Sequence, residues 1–351
     1  MFKTIFPCVL LINDIHVSKD NLPDFTANWN EALSVCKKLD IELIAVGGDL
    51  FQSRAAQTLD VLLAVHDALI DADRQGIQVI LANGNHDKVN QESNRGYCHV
   101  FSQHDNVMLV DESMSVCKPD WDYALHIIPY FPENGTFKDK LDDVIQHELV
   151  KGRKNYLYIH EGINGALLHT SDNELPASMF SVFDKIFVGH YHNRCTVKGT
   201  EIDYIGSSRQ HNFGEDEEKG YTVLYNDGSY EFIKNQVNTR YRVIDTDADK
   251  VDIHLSDLLE EIKADGRYKV KVRVHASTAK APGIDKNILL NAGATKVEVI
   301  TDEPEISETQ SGSLFEKFDF HNIQVNYQEF CRLKDIDNVS LGITYLSKIK
   351  N

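Results

Sequence analysis

Five short apolar runs punctuate the earlier part of the chain, at residues 6–12, 41–46, 77–81, 156–159 and 186–188. They are rich in Val, Ile and Leu and too short for buried helices, so they read as strands covered on both faces. Between them the spacing changes. Residues 22–39 carry Trp29, Ala32, Leu33, Cys36 and Leu39 at helical intervals, and residues 58–75 carry Leu59, Leu62, Leu63, His66, Leu69 and Ile70 likewise. Both stripes are expected to pack on a sheet, with His66 a packed histidine, and a third covering helix is expected over 137–151. Strands alternating with amphipathic helices predict an α/β fold. Further β-rich stretches near 201–205, 221–225 and 230–234 are expected to complete a second sheet.

After residue 235 the pattern becomes strand–helix–strand–helix–strand, over 241–245, 255–263, 269–275, 284–291 and 296–300. That predicts a small α+β unit spanning 236–300 behind a larger domain of 1–235. Residues 301–313 are acidic, rich in Ser and Thr and almost free of large apolar side chains, which is the composition of a linker. Residues 314–351 regain apolar character through Phe315, Phe318, Phe320, Tyr327 and Phe330. This helical tail either folds back on its own chain or docks in a partner's groove.

An apolar content of 42% with 20 Gly and 8 Pro excludes a disordered or fibrous chain. The six cysteines form no Cys-x-x-Cys pair, which argues against a disulfide framework and a structural zinc site and fits a reducing cytoplasm. The apolar opening leads straight into Asp14 and His16, so it reads as a core strand and not a signal peptide. No segment approaches the ~20 apolar residues that span a bilayer. Acids outnumber bases 54 to 36, giving a net charge of −18. Such a chain would grip a polyanion only through local basic strips or with a partner's help.

Each of the five apolar runs ends in a polar cluster: Asp14-Ile15-His16, Gly47-Gly48-Asp49, Gly84-Asn85-His86-Asp87, His160-Glu161 and Gly189-His190-Tyr191-His192. One such cluster alone is usually a turn; five in order, each past a strand, are not. In open α/β sheets, ligands gather beyond the carboxyl ends of the strands. Two divalent ions about 3.5–4 Å apart can clamp the attacking and leaving oxygens of an in-line displacement and activate water. Asp49 is the natural bridging carboxylate. One ion would take Asp14, His16 and one of His190 and His192, and the other ion Asn85, His160 and the remaining histidine. Oxygen and nitrogen donors without thiolates suit Mn, Mg, Fe or Zn. His86 is left to stabilise the phosphoryl oxygens or protonate the leaving oxygen, with Asp87 orienting its imidazole.

The order of these clusters resembles that of the calcineurin-like metallophosphoesterases. Three features resemble one branch, the SbcD-type DNA double-strand-break repair nucleases. They are Gly48-Asp49-Leu50-Phe51, the stretch 183–192, and the run Tyr204-Ile205-Gly206-Ser207-Ser208, Phe213-Gly214-Glu215, Lys219-Gly220-Tyr221. The resemblance implies a two-sheet αββα sandwich, a capping unit that positions DNA, and a tail that binds the coiled-coil base of an SMC-like ATPase. It also implies two divalent ions, most often Mn2+, a homodimer, and a cytoplasmic enzyme of a bacterial or phage-infected cell. The activity implied is exonuclease on duplex ends, endonuclease on single strands, or both. Gln52 departs from the histidine that many members carry there. Arg54, Lys88, Arg95 and Arg209, all near the motifs, are candidate DNA contacts. The main alternative is a phosphatase or phosphodiesterase acting on a small phosphoester or phosphoprotein. A non-catalytic scaffold fits poorly, since every motif histidine is present. His99, His104, His126, His147 and His169 lack a motif and read as ordinary side chains; His211 follows the Gly-Ser-Ser segment and stays open.

Overall fold

A computed structural model of the chain describes residues 4–167, 174–251 and 253–301, with Tyr327, Cys331 and Val339 beyond them. His169, the linker 302–313 and the expected helical tail lie outside the described residues, those three positions apart. The chain runs β1 (Pro7–Ile12), α1 (Leu22–Leu39), β2 (Leu43–Val46), α2 (Leu59–Arg74), β3 (Gln78–Ala82), β4 (Val107–Val110), β5 (Met114–Val116) and β6 (Tyr123–Ile127). It continues through α3 (Phe137–His147), β7 (Lys154–His160), β8 (Lys185–Gly189), β9 (Cys195–Thr196), β10 (Ile202–Tyr204), β11 (Gly220–Tyr225) and β12 (Tyr230–Lys234). Two six-stranded sheets result, ordered β12-β11-β1-β2-β3-β4 and β5-β6-β7-β8-β10-β9. Their centres are parallel: β1 pairs with β2, β2 with β3, β6 with β7 and β7 with β8 in that sense. Of the stretches expected to complete the second sheet, only β10 does so. β11 and β12 extend the first sheet instead, because β11 is in antiparallel register with β1 and carries β12 with it. The edge strand β5 of the second sheet is antiparallel to β6.

Alternation along the strands sorts side chains into layers. Val9, Leu11, Ala45, Ile80, Tyr123, Tyr158 and Phe187 fill the space between the sheets. Leu10, Ile12, Ile44 and Val79 face the other way, under α1 and α2. Phe137, Leu141 and Val144 of α3 cover the second sheet. The fold is therefore the two-sheet sandwich with helices on both outer faces. α1 buries Phe25, Trp29, Ala32, Leu33 and Cys36, and it ends at Asp40, whose left-handed backbone (φ 58°) lets its N–H reach the Cys36 carbonyl.

α2 corrects the sequence reading. Its buried stripe is Val61, Val65, Leu69 and Ala72, while Leu59 and Leu63 are 69% and 48% exposed. His66 is exposed too, its Nδ1 lying 3.1 Å from His104 Nε2. Two overlapping stripes, which share Leu69, compete on this helix, and the one carrying Val61 and Val65 joins the core with α1 and the first sheet.

Further along, β13 (Arg240–Asp247), α4 (Ile253–Asp265), β14 (Tyr268–Ala276), α5 (Lys286–Ala292) and β15 (Lys296–Thr301) follow, with the strands in a sheet ordered β13-β14-β15. By compactness the described residues divide into a main unit within Met1–Asp245, Asp252–Val272 and Lys286–Glu298, and a smaller one that includes Thr246–Val251, Arg273–Asp285 and residues 299–301. Every residue of the five polar clusters belongs to the main unit. Among the described residues, no helix is long and apolar enough to cross a membrane.

Candidate metal centre

The carboxyl ends of β1, β2, β3, β7 and β8 open on one edge, and the turns that leave them are stitched together. The Asp14 N–H donates to the Gly48 carbonyl at 3.0 Å, His16 to Asp49 at 3.0 Å, and Val17 to Leu50 at 2.8 Å. The backbone pays for this convergence in conformation. Among the described residues, five non-glycine positions have left-handed φ: Asp14 (51°), His16 (50°), Asp49 (52°), His190 (88°) and the helix cap Asp40. Left-handed backbone costs roughly 1–2 kcal/mol per L-residue, and such strain concentrates where function fixes the geometry. Gly84 passes so near Asp49 that a Cβ there would collide with its amide and carboxylate.

The seven candidate ligands converge. Asp49 Oδ2 lies 3.5 Å from His16 Nε2 and 3.3 Å from His160 Nε2, so this one oxygen stands between two groups. On one side, His16 Nε2 and His192 Nε2 are 3.1 Å apart, at 4.0 and 3.9 Å from Asp14 Oδ1. On the other side, Asn85 Oδ1 is 3.3 Å from His190 Nδ1. That places His192 with His16 and His190 with Asn85, while Asp14 Oδ1, also 3.8 Å from His160 Nε2, stands between the two sides. The Asn85 carboxamide sits at the centre of this second group. With its oxygen inward it faces only acceptors: both Asp49 oxygens at 3.2–3.3 Å, His160 Nε2 at 3.3 Å and His190 Nδ1. Turned over, the same amide donates to these groups and offers its oxygen to Arg54, so Asn85 is an oxygen donor to an ion only in the orientation that faces them. The donor set fits two divalent ions with Asp49 shared.

Without the charge of an ion, the electrostatics divide the ligands. Burial, then the neighbouring imidazoles, push His16 and His190 down to about 3, so both rings are neutral and keep a lone pair. Burial acts the same way on His160, but the Asp49 and Asp14 carboxylates outweigh it and lift that ring to about 9. Burial pushes Asp14 up, against the pull of His160 and His192.

Around the ligands lies a shell that local sequence pattern did not disclose. Tyr158 donates to Asn13 Oδ1 at 2.9 Å; Asn13 in turn donates to Asp14 Oδ2 and, at 3.0 Å, to the Gly206 carbonyl. Glu215 Oε1 accepts from His192 Nδ1 at 2.8 Å, and its other oxygen accepts from the His211 N–H at 2.9 Å. His211 itself reaches the Asp14 carbonyl at 2.8 Å through Nε2, and its ring stands 5.0 Å from His16 and 4.9 Å from His192. Its nitrogen, with those of His16 and His192, forms a group compact enough to hold an ion. A carboxylate behind a metal-bound imidazole fixes its tautomer and raises its basicity. Glu215→Ala is expected to weaken ion binding at the His192 side by about 10–100-fold, with Glu215→Gln intermediate. Calorimetric titration with Mn2+ reads this directly.

Three expectations are corrected. Asp87 does not touch the His86 ring. Its carboxylate accepts backbone N–H groups from Gly84 (2.7 Å), Phe51 (2.8 Å) and Leu50 (3.2 Å), pinning the Asp49 turn, while His86 Nδ1 lies 2.7 Å from the Gln52 carbonyl. Burial, with the Asp49 charge, pushes Asp87 up to about 7. Arg209 is no DNA contact: it is buried, and its Nη2 donates to the Ile15 and His16 carbonyls at 3.0 and 3.2 Å. Lys88 is buried as well, bonded to the Tyr130 carbonyl and 3.7 Å from the centre of the Phe131 ring. Arg54 and Arg95 are exposed, and the Arg54 guanidinium lies against the Asn85 amide. Asp87→Ala would leave three buried N–H groups without acceptors at ~1–3 kcal/mol each. A loss of roughly 3 kcal/mol or more in chemical denaturation is expected.

The family follows from a match to the whole motif-bearing region. A model of the calcineurin-like phosphoesterases aligns with residues 9–217. The chain belongs to the calcineurin-like phosphoesterase family. This metallophosphoesterase is thus a phosphoester hydrolase whose candidate sites call for divalent metals. It is 25% identical over 224 residues to the phosphoesterase-like protein 244L of Invertebrate iridescent virus 6, an alignment covering 62% of this chain and 76% of that one. Among solved structures, a dimetal phosphatase from Danio rerio is 12% identical, with TM-score 0.41, over 62% of this chain and 92% of that one. The nuclease MPE of Pseudomonas putida is 17% identical, with TM-score 0.27, over 54% of this metallophosphoesterase; the chain spans 64% of that nuclease's length.

Proposed function

We propose that the chain is a two-metal DNA nuclease, the catalytic member of an SbcC–SbcD-type pair, with Mn2+ as its working ion. The observation that carries this reading is how deeply the branch-like run 204–221 is built into the metal centre. Glu215 backs His192, Arg209 clasps the turn that carries His16, and Lys219 Nζ donates to the His192 carbonyl at 2.7 Å. A run that merely closed the sheet would have no reason to carry these side chains.

When bound, the two ions supply positive charge for the phosphoryl oxygens and an activated water. The chain's own residues do the rest. The His86 N–H donates to Asp49 Oδ1 at 2.8 Å, which ties the loop to the shared carboxylate. Its Nδ1 can only donate to the Gln52 carbonyl, so Nε2 is the atom left to face substrate. Protonated there, it gives its proton to the leaving oxygen. Arg54, exposed beside the Asn85 amide, would pair with a non-bridging phosphate oxygen.

A second reading has its own observation. With Arg209 and Lys88 buried, two of the four candidate DNA-binding cations are withdrawn from the surface, which suits a small phosphoester better than a polyanion. In the nuclease reading an SMC-like ATPase, docked on residues 314–351, supplies the missing grip. The test is a side-by-side assay with Mn2+ on linear DNA and on p-nitrophenyl phosphate. Slow but definite DNA degradation, accelerated by the ATPase and ATP, is expected. Fast release of nitrophenol with the DNA intact would overturn the nuclease reading and leave the metal centre standing.

A further inference from the structure

The turn that carries Glu215 is fastened at its base by one buried amide. Gln210 is 1% exposed, and both polar atoms of its carboxamide are committed to backbone. Its Nε2 donates to the Glu215 carbonyl at 2.8 Å and to the Tyr241 carbonyl at 2.7 Å, and its Oε1 accepts from the Tyr241 N–H at 2.8 Å. Turned over, the amide would set its oxygen against two carbonyls and its nitrogen against an N–H, so one orientation is fixed. Residues 210–215 are thereby tied to β13. The Phe213 ring adds a second tie, standing edge-on to Tyr241 with ring centres 5.1 Å apart. Within the turn, the Glu215 carboxylate accepts from His192 Nδ1, from the His211 N–H and, at 2.8 Å, from Asn212 Nδ2.

We propose that Gln210 is a positioning residue for the ion on the His192 side. It acts through Glu215 and not by ligation. By holding the main chain at Glu215 against β13, it sets the carboxylate where His192 Nδ1 donates to it, which keeps Nε2 turned to the ion. A turn released from β13 carries the same groups but no longer fixes their distance and angle, on which a hydrogen bond depends steeply. Outer partners of this kind govern ion affinity as well as ring orientation. The inference goes beyond the nuclease reading and holds for DNA and a small phosphoester alike, because it concerns the ion and not the substrate.

The test compares two variants of the full chain. Gln210→Met keeps a side chain of similar length and removes all three hydrogen bonds. Asn106→Leu is the matched control: Asn106 is another buried amide, its Nδ2 donating to the Leu69 and Ile77 carbonyls at 3.1 Å, and it lies beside the start of β3, at the far end of that strand from Asn85. Calorimetric titration of the metal-free proteins with Mn2+ is expected to show one of two ions bound about tenfold more weakly in Gln210→Met, and both at wild-type affinity in Asn106→Leu. Hydrolysis is followed on whichever of linear DNA and p-nitrophenyl phosphate the chain turns over. In Gln210→Met it is expected to fall at limiting Mn2+ and to regain the wild-type kcat at saturating Mn2+, whereas a partly unfolded enzyme would be slow at every concentration. A double-variant cycle checks the route: in a Glu215→Ala background, Gln210→Met is expected to weaken Mn2+ binding no further. Additive losses in that cycle would overturn the proposal. So would unchanged affinity in a folded Gln210→Met, or equal losses in Gln210→Met and Asn106→Leu, which would reduce the effect to stability. Should Gln210→Met not fold, Gln210→Asn, one methylene too short to reach both carbonyls, is read in the same way.

Discussion

Asp49→Ala is expected to abolish phosphoester hydrolysis while the sandwich stays folded. Among the described residues, no other side chain presents one oxygen within 3.5 Å of His16 and 3.3 Å of His160; Asp14 Oδ1 stands back at 4.0 and 3.8 Å, too far to take over the bridge. Two divalent ions brought that close without a shared carboxylate repel each other, and at least one is expected to be lost or held far more weakly. The variant also releases the His86 N–H from its 2.8 Å bond, loosening the loop that carries the acid. Asp49→Asn is the sharper control. It keeps an oxygen and a side chain that tolerates φ of 52°, and removes only the charge. Both variants should retain a native melt in the absence of ions and lose two-ion stoichiometry in calorimetry. Two ions bound to Asp49→Ala at ordinary affinity would rule out the bridging role.

His86→Ala is expected to keep both ions and lose turnover by roughly 10²–10⁴-fold, the usual worth of a positioned acid or an oxyanion donor. The variant tests a real ambiguity, because His16, Asp49 and His86 each offer a ligand atom within 4.8 Å of the others. What separates His86 from the ligands is its setting. It is only partly buried, it is tethered through Nδ1 to a carbonyl, and it stands edge-on to His16 with ring centres 4.9 Å apart. Loss of one ion in the variant would make it a ligand; full stoichiometry with slow chemistry assigns it to the phosphoryl group. A substrate with a better leaving group should recover much of the rate if the lost function is protonation, and little if it is charge stabilisation.

Much of the sandwich was legible because β1, β2, β3, β7 and β8 are unbroken apolar runs and α1 has a single apolar stripe. α2 carries two, and nothing in its sequence says which one the sheet will choose. β6 (Tyr123–Ile127) escaped notice because its five buried residues include a histidine, whose ring is paired with Ser115 and Asn155. The polar clusters could be read because each follows its strand directly. Their supports could not: Tyr158 and Asn13, or His192 and Glu215, are neighbours only after the sheets have stacked. Arg209 and Lys88 mislead for the same reason. A cation near a motif reads as surface, yet backbone carbonyls and an aromatic face can solvate it inside.

The left-handed turns at Asp14, His16, Asp49 and His190 have a consequence for how ions arrive. The cage is shaped by hydrogen bonds between turns and by Arg209, His211 and Asn13 behind them, all of them contacts within the protein itself. Loading is then a matter of dehydrating the ion and displacing protons, with no segment to fold around it. Binding free energy passes almost whole into stability, about 2.7 kcal/mol for a site at a hundredfold excess over its dissociation constant. Chelation, correspondingly, empties the cage and leaves its shape behind, so a stripped enzyme is one that any fitting ion can restart.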